Sequence, residues 1–424
     1  MTPLVLLPLL LAPESAAPLL VECGALFDPE RRRMEPRRWV VVEGERIREV
    51  AAAPPADFAG RRVDLSAFVC LPGLIDLHTH LAFEPSPQSH GEGFRLNAAD
   101  LALRAADNAR KTLHAGFTTV RDLGDRDNVT VALREAIAQG RAEGPRILTA
   151  AKSIASTGGH ADPTNGWRAD LMGDPGPREG VVNDPGEARK AVRQRYKDGA
   201  DWIKITATGG VLSYARSPDN PQFTDEELAA LVAAARDYGF RVAAHAHGRE
   251  GARRAILAGV DTLEHGTFLD EELFALMKKR GTVYVPTLTA GVYVGEMARV
   301  EGHYPAIVRP KALLVAERIR RTFAAAWRAG VPIAFGSDAG VFPHGENARE
   351  FELMAEAGMP MAEALAAATL RAARVLGLEA EIGSLEAGKR ADLVAVAGDP
   401  LADPRRMREV VFVMRDGRIA REPR

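Results

Sequence analysis

Residues 74–85 read LIDLHTHLAFEP, a short apolar segment that runs into two histidines. The segment has the length and composition of a buried strand, and a helix-like pattern, DLALRAADNARKTL, follows it at 100–113. A doubly wound open sheet, the main structural alternative, would usually carry a glycine-rich phosphate turn directly after its first strand. The turn here is HTHLAFEP, which favours a different arrangement of parallel strands.

The same strand, loop and amphipathic-helix unit recurs about eight times over about 300 residues, which is the size and rhythm of a (β/α)8 barrel. The strand segments are almost continuously apolar, as is typical of a parallel sheet that is covered on both faces. The sequence therefore predicts an α/β protein in which residues 72–379 form a (β/α)8 TIM barrel. The predicted strands are 74–80, 117–122, 145–151, 202–207, 241–248, 261–267, 282–288 and 331–340.

The two ends of the chain have a different pattern. Short apolar runs separated by charged turns fill residues 18–71, and the same pattern returns over 380–424. Such runs predict short antiparallel strands. We expect the two terminal segments to pair into one small β domain.

Composition narrows the possible partners and metal ligands. The chain has 424 residues and a formal net charge of -2, which gives no reason to expect nucleic acid or an anionic membrane as a partner. Cys23 and Cys70 are the only two cysteines, so neither a disulfide framework nor a cysteine zinc cluster is expected. Any zinc-type metal must be held by histidine and carboxylate groups.

Residues 1–17 are read separately, as a possible signal peptide. Leu4–Ala12 is apolar but too short to span a bilayer well, and small residues follow it as a cleavage site would require. This pattern favours export to the periplasm, although no lysine or arginine precedes the run and Pro18 would follow the cut. The alternatives are a misassigned start or a disordered tail on a cytoplasmic protein. No other stretch is long and apolar enough for a membrane span.

Residues able to bind metals are placed at the ends of the predicted strands. Two pairs of histidines are each spaced two residues apart, so both imidazoles of a pair face the same side of a strand. In a barrel the carboxyl ends of the strands meet at one mouth, and neutral imidazoles suit a divalent metal. Spacing alone does not say which histidine of the second pair is a ligand. The candidates are His78, His80, His245, His247, His265 and Asp338.

Lys204 lies in the apolar run WIKITA, where a charged ammonium would be costly to bury. It could be an ion-paired structural lysine. It could form a Schiff base, because desolvation lowers the pKa of an amine and frees the nucleophile. It could also add carbon dioxide and become a carbamate that bridges two metal ions. The number of histidines favours the carbamate, since Schiff-base chemistry does not need metal ligands.

Together these stretches resemble the amidohydrolase superfamily. The motifs that carry the resemblance are LPGLIDLHTHL, GFTTVRDLG, WIKITATGGV, VAAHAHG, TLEHGT, FGSDAG and the tail IGSLEAGKRADLVAVAGDPL. The resemblance implies a barrel joined to a β-sandwich of both termini. It also implies a binuclear metal site, typically zinc, with ligands His78, His80, carboxylated Lys204, His245, His265 and Asp338.

The resemblance further implies how such a site works. His78, His80 and Asp338 would hold the deeper metal, and His245 and His265 would hold the outer metal. The carbamate and a hydroxide would bridge the two metals. The metals would activate the hydroxide and polarise the scissile carbonyl, with Asp338 as general acid and base. His247 would contact the carbonyl of the substrate.

Within the superfamily the chain is most similar to the prolidase and Xaa-Arg/Lys dipeptidase branch, which lies close to the imidazolonepropionases. The stretches STGGHAD, ATGGVLS and PHGENAREFELM carry this closer match, whereas HAHG departs from the imidazolonepropionase pattern. The implied substrate is a dipeptide or another small molecule, and we expect a homo-oligomer. The implied substrate-binding residues are His160, for a carboxylate, and Tyr214, Arg216 and His344 in loops at the mouth.

Two other classes of function stay open at this point. Cyclic amide, lactone or deaminase chemistry would use the same superfamily fold, although the mononuclear deaminases do not use a lysine on the fourth strand. A Schiff-base lyase would use Lys204 and would not depend on metal. A metal-dependent hydrolase of an amide C–N bond accounts for more of the residues than either.

Overall fold

The computed structural model describes residues 17–86 and 89–423. The possible signal peptide therefore lies outside the described residues, except for Ala17. Within the described ranges, no helix combines the length and the apolar character needed to cross a membrane.

The described chain alternates strands and helices through its centre and has strands at both ends. The strands are β1 (Leu19–Asp28), β2 (Arg33–Glu43), β3 (Arg46–Ala51), β4 (Arg61–Pro72), β5 (Leu74–Thr79), β6 (Phe117–Asp122), β7 (Arg146–Thr149), β8 (Ile203–Thr206), β9 (Val242–Ala246), β10 (Thr262–His265), β11 (Val283–Val285), β12 (Leu393–Val396), β13 (Val410–Arg415) and β14 (Arg418–Arg421). The helices are α1 (Ala98–His114), α2 (Val129–Ala138), α3 (Ala169–Met172), α4 (Pro185–Asp198), α5 (Asp225–Asp237), α6 (Arg249–Ala258), α7 (Glu271–Arg280), α8 (Leu288–Met297), α9 (Arg309–Arg328), α10 (Arg349–Glu356), α11 (Met361–Ala367) and α12 (Leu370–Leu376).

The strands of both terminal segments belong to one seven-stranded sheet, in the order β14-β13-β12-β4-β1-β2-β3. The C-terminal segment joins the N-terminal one where β12 pairs antiparallel with β4. Most neighbours in this sheet are antiparallel, as expected, but β1 and β4 are parallel. They are parallel because the β2–β3 hairpin lies on the other side of β1, so the chain crosses back before it enters β4.

A disulfide joins Cys23 on β1 to Cys70 on β4, and both cysteines are fully buried. The expectation that the two cysteines would form no disulfide framework therefore needs correction, because the fold makes one cross-link. The physical reason is the parallel pairing of β1 with β4, which brings the two Cα atoms to 5.8 Å across a separation of 47 residues. That pairing cannot be read from the positions of two cysteines.

The central strands form two parallel sheets, β5-β6-β7 and β11-β10-β9-β8. All six residues of β5 and all five of β9 are buried, which explains their apolar sequences, since side chains on both faces meet other parts of the protein. The amphipathic helices supply that cover. The start of α5 is fixed by Thr224 and Glu227, whose side chains each accept a hydrogen bond from the other residue's backbone N–H.

Backbone hydrogen bonds link the edges of the two parallel sheets. The Ile154 N–H donates to the Lys204 carbonyl of β8, and the segment after β7 thereby meets β8. Segment 332–339 pairs with β11 on one side and with β5 on the other, where the Asp338 N–H donates to the His78 carbonyl. The predicted strand at 331–340 is thus present as isolated bridges at Ile333 and Ala339 and not as a regular strand.

Arg146 connects the terminal sheet to the parallel strands. From β7 its guanidinium donates to Asp392 at 2.7 Å and to Asp416 at 2.5 Å, both on or next to strands of the terminal sheet. Burial by itself would lower the pKa of Arg146, but the two carboxylates raise it. For Asp416 the directions are reversed: burial alone would raise its pKa, but the neighbouring arginines lower it. This largely buried ion cluster holds the two parts of the fold together.

Replacing Arg146 by methionine removes the ion-pair partner of the buried Asp392 and leaves Asp416 with Arg390 and Arg415 only. We therefore expect the free energy of unfolding to fall by about 3 kcal/mol. Urea unfolding followed by circular dichroism measures this loss. The control is Arg168→Met, which removes an exposed guanidinium and should change nothing measurable. Since the folded-state pKa of Asp416 is lowered, its stabilisation is present above the unfolded-state pKa of about 4 and is lost on acidification below it. Equal stability of the Arg146→Met variant would contradict the role of the cluster.

Candidate metal centre

Asp338 and the two histidines at the end of β5 form a compact group of donor atoms. One oxygen of Asp338, Oδ1, lies 3.5 Å from His78 Nε2 and 3.4 Å from His80 Nε2. The three ligand atoms lie within 4.8 Å of one another, and they are the one set of this kind among the described residues. The backbone brings them together, because segment 332–339 is hydrogen-bonded directly to β5.

Two residues of the site have backbone conformations that are uncommon for side chains with a Cβ atom. His265 has φ 69° and Asp338 has φ 64°, in the left-handed region. Such conformations cost free energy and persist where the surrounding structure imposes them, often at functional sites. They occur here at the end of β10 and within segment 332–339, and both residues line the same cavity.

The chemistry of this donor set fits a divalent metal. Asp338 Oδ1 is buried and has no hydrogen-bond partner among the described residues, which is costly unless a cation or other donor satisfies it. Burial lowers the pKa of His80 to about 4 and that of His78 well below its usual value, so both imidazoles are neutral at pH 7. Burial also raises the pKa of Asp338 to about 8. Two neutral imidazoles and an unsatisfied carboxylate oxygen are the ligands that zinc accepts.

Lys204 reaches the same place from β8. Its Nζ atom lies 3.3 Å from His78 Nε2, and the residue is only 3% exposed. Burial lowers the pKa of the amine to about 8, so a substantial neutral fraction is present at mildly alkaline pH. The neutral amine is the form that adds carbon dioxide, and it is also the form that a Schiff-base mechanism requires.

The other histidines predicted as ligands adjoin the first group. The His265 ring centre lies 5.0 Å from that of His78 and 4.5 Å from that of His245. Each is held by a neutral partner, since His265 Nδ1 lies 2.7 Å from Thr287 Oγ1 and His245 Nε2 lies 3.1 Å from the Gly209 carbonyl. His245 and His265 do not belong to the compact donor group in this structure, but both line the same cavity.

His247 and His160 also face the cavity. His247 Nδ1 lies 2.8 Å from Thr267 Oγ1, which leaves Nε2 directed elsewhere. The His160 ring stacks on His245 with centres 4.3 Å apart, and its Nδ1 is buried without a hydrogen-bond partner among the described residues. Burial lowers the pKa of both rings to about 3.

The remaining predicted substrate-binding residues do not line this cavity in the described part of the chain. Tyr214 and Arg216 are exposed, with Tyr214 packed beside Gly166. His344 is buried, and its Nε2 lies 2.9 Å from the Phe83 carbonyl, which fixes the loop after β5. Their role in binding substrate stays a prediction.

The cavity has a volume of about 170 Å³, and its lining includes both the polar group and a set of apolar side chains, which we call the apolar wall. The sequence alone does not reveal this wall, because the apolar residues of α8 and α9 have the pattern of ordinary helices that face a hydrophobic core. The repeated small and β-branched residues of α8 were the available signal, but they do not show which face meets the cavity. The apolar wall consists of Val211, Ala290, Val294, Val315, Ile319 and Val341.

Several solved structures share this fold. The crystal structure of a Xaa-Pro dipeptidase with bound methionine in the active site is 47% identical to this chain, with a TM-score of 0.92. The match covers 95% of this chain and 99% of that protein. A prolidase complexed with N-methylphosphonate-L-proline is 31% identical with a TM-score of 0.88, covering 96% of this chain and 100% of its own.

Comparison of the amino-acid sequence with known proteins gives related enzymes and a family match. The ochratoxinase of Aspergillus niger is 32% identical over 375 residues, which are 84% of this chain and 76% of that enzyme. The amidohydrolase family matches residues 69–420, which include every candidate ligand. The resemblance read from the motifs is thereby confirmed, and the chain belongs to the amidohydrolase family.

Proposed function

We propose that the protein is a metal-dependent hydrolase that cleaves the amide C–N bond of a small substrate, most suitably a dipeptide. The observation that carries the proposal is Asp338 Oδ1, buried and unsatisfied between His78 Nε2 and His80 Nε2 at one side of a cavity. Two relatives that share the fold are a Xaa-Pro dipeptidase and a prolidase, which supports a peptide substrate.

The same proposal includes the architecture. We infer that β5 to β11 and segment 332–339 close into a (β/α)8 barrel, since both edges of the two parallel sheets are hydrogen-bonded to further strand-like segments. The terminal sheet would curl into a β-sandwich around its own cluster of buried residues, which includes Val21, Leu65 and Phe412. In this arrangement the candidate ligands all lie at the carboxyl ends of barrel strands, where such folds place their active sites.

The proposed cofactor is a pair of zinc ions. His78, His80 and Asp338 would hold one of them, while His245 and His265 would hold the second and a carbamate on Lys204 would reach both. When bound, divalent zinc supplies Lewis acidity toward the scissile carbonyl and makes water more acidic. The donor set of nitrogen and oxygen atoms without thiolate agrees with that metal.

The chain supplies the proton transfers and the hydrogen bonds. Asp338 would take the proton from the attacking water and deliver it to the leaving nitrogen, as a buried carboxylate beside the reacting atoms can do. His247 would accept from the Thr267 hydroxyl at Nδ1 and so keep its proton on Nε2, where it can donate to the carbonyl oxygen as negative charge develops. His160, with its unpartnered Nδ1 in the cavity, would bind a carboxylate of the substrate.

The apolar wall bears on the choice of substrate. Among the described lining residues Asp338 is the one carboxylate, so a cationic lysine or arginine side chain facing the wall would be buried without a counter-ion. We therefore favour dipeptides with an apolar side chain at the position that faces the wall, together with proline or another apolar residue. An Xaa-Pro dipeptide therefore fits the cavity better than an Xaa-Arg or Xaa-Lys dipeptide.

Metal analysis combined with a dipeptide panel tests the proposed function. We expect one to two zinc ions per chain, complete loss of hydrolysis after chelation, and recovery when zinc is added back. In the panel, one position should favour methionine or leucine over lysine or arginine by about 10-fold or more in kcat/KM, as desolvation of an unpaired charge requires. Full activity in metal-free protein would refute the proposal, and trapping of a substrate by borohydride would favour the lyase.

Lys204→Ala tests the carbamate. We expect loss of activity and of bound metal, with partial recovery in the presence of formate or acetate, because a small carboxylate can replace the bridging oxygens. Protein equilibrated with ¹³C-bicarbonate should show a carbamate ¹³C resonance that the variant lacks. Lys190→Ala, an exposed lysine on α4, is the matched control and should keep activity and metal. Wild-type metal content in Lys204→Ala would exclude a bridging role.

A further inference from the structure

One metal-binding candidate, His78, is tied to a buried pair of opposite charges. His78 Nδ1 lies 2.8 Å from Glu264 Oε2, and the other oxygen of this carboxylate, Oε1, accepts from the Arg121 guanidinium at 3.0 Å. All three residues are fully buried. Two further donors of Arg121 bind the Leu77 carbonyl at 2.7 Å and Thr262 Oγ1 at 3.1 Å.

The other histidines at the site have neutral partners. Their ring nitrogens meet the carbonyls of Gly124 and Gly209 or the hydroxyls of Thr267 and Thr287. His265 Nδ1 also lies 3.9 Å from Asp338 Oδ2, beyond hydrogen-bond distance. Among the described histidines of the cavity, His78 is thus the one whose Nδ1 is within hydrogen-bond distance of a carboxylate. A carbonyl or carboxylate can only accept, whereas a hydroxyl can donate or accept, so the partner determines which ring nitrogen keeps the proton.

We propose that Glu264 is a positioning residue that fixes the tautomer of His78, and that Arg121 keeps Glu264 in its acceptor role. The carboxylate can only accept, so the proton of His78 resides on Nδ1 and Nε2 keeps its lone pair on the side of Lys204 Nζ, at 3.3 Å, and Asp338 Oδ1, at 3.5 Å. Carboxylates that hold a metal-bound histidine in this way tune both its orientation and its basicity. The inference rests on the proposed metal centre and adds two residues to it.

Arg121 makes the arrangement sensitive to a change of one atom. Its guanidinium can only donate, so it requires an oxygen at the Oε1 position of residue 264. In Glu264→Gln the amide oxygen would stay with Arg121 and the NH2 group would face His78 Nδ1. That nitrogen would then have to accept, the proton would move to Nε2, and the lone pair needed for the metal would be lost.

The double variant Arg121→Met/Glu264→Gln separates tautomer control from simple structural support. The Thr262 hydroxyl donates to Glu264 Oε1 in wild type, and a hydroxyl can also accept. Without the guanidinium it can turn and accept, so the amide can place its oxygen toward His78 and its NH2 toward Thr262. We therefore expect the zinc affinity of Glu264→Gln to fall by about 10- to 100-fold and that of the double variant to recover most of this loss. A residue that merely filled space would give a double variant no better than the single one.

The experiment titrates zinc alone into chelator-treated wild type and variants against a competing chelator. In parallel, NMR of the metal-free proteins should show a downfield imidazole N–H of His78 in wild type, its loss in Glu264→Gln, and its return in the double variant. Glu227→Gln is the matched control, because Glu227 is also buried but accepts from the Thr224 N–H at the start of α5 and not from a histidine, and a glutamine oxygen can accept the same bond. It should bind zinc like wild type.

The outcomes separate this inference from the proposed function. Unchanged zinc affinity in Glu264→Gln, or a double variant as weak as the single one, would overturn the inference while leaving the metal centre intact. If Glu264→Gln does not fold, the double variant still has to bind zinc nearly as well as wild type, and failure to do so overturns the inference. A wild type that binds no zinc would overturn the proposed function, whereas the N–H signal would still report the tautomer.

Discussion

The site depends on the pairing of segment 332–339 with β5. Two backbone hydrogen bonds, from Asp338 N–H to the His78 carbonyl and from His80 N–H to the Ala339 carbonyl, fix the register between the two segments. That register places a carboxylate between two imidazoles although about 260 residues of chain separate them. Since backbone pairing cannot shift by one residue without turning every side chain to the other face, the geometry of the donor group follows from the fold.

Burial gives these groups their chemistry. In water Asp338 and Lys204 would be ordinary charged side chains, but burial raises the pKa of the first to about 8 and lowers that of the second to about 8. The histidines are neutral for the same reason. Neutral imidazoles, an amine that is partly neutral at mildly alkaline pH and an unsatisfied carboxylate oxygen together suit a bound cation. The buried pair of Arg121 and Glu264 adjoins this group through His78.

The sequence alone predicts the features that repeat along the chain and the residues that interrupt a repeated pattern. Apolar strands followed by amphipathic helices predicted the parallel strands, and polar residues at strand ends predicted a cluster that the structure brings together around His78. Lys204 was recognised because a lysine is out of place in an apolar strand. Arg121 carries the same signal within FTTVRD, but its partner Glu264 is a single carboxylate whose orientation depends on pairing between distant strands.

Other features could not be predicted because they arise between elements. The apolar wall forms where α8 and α9 face the cavity, and no spacing rule reports which helix faces meet a distant strand. The link between Cys23 and Cys70 depends on the parallel pairing of β1 with β4. Tyr214 and Arg216 are exposed and are not among the described residues that line the cavity, so their predicted place in loops over the substrate stays a prediction.

The most direct test of the central claim is anomalous diffraction from crystals of the purified protein, collected on both sides of the zinc absorption edge. We expect an anomalous peak within coordination distance of His78 Nε2, His80 Nε2 and Asp338 Oδ1. We also expect electron density for a carbamate on Lys204 next to that peak. An active protein whose crystals show no anomalous scatterer at these atoms would rule out the proposed metal centre.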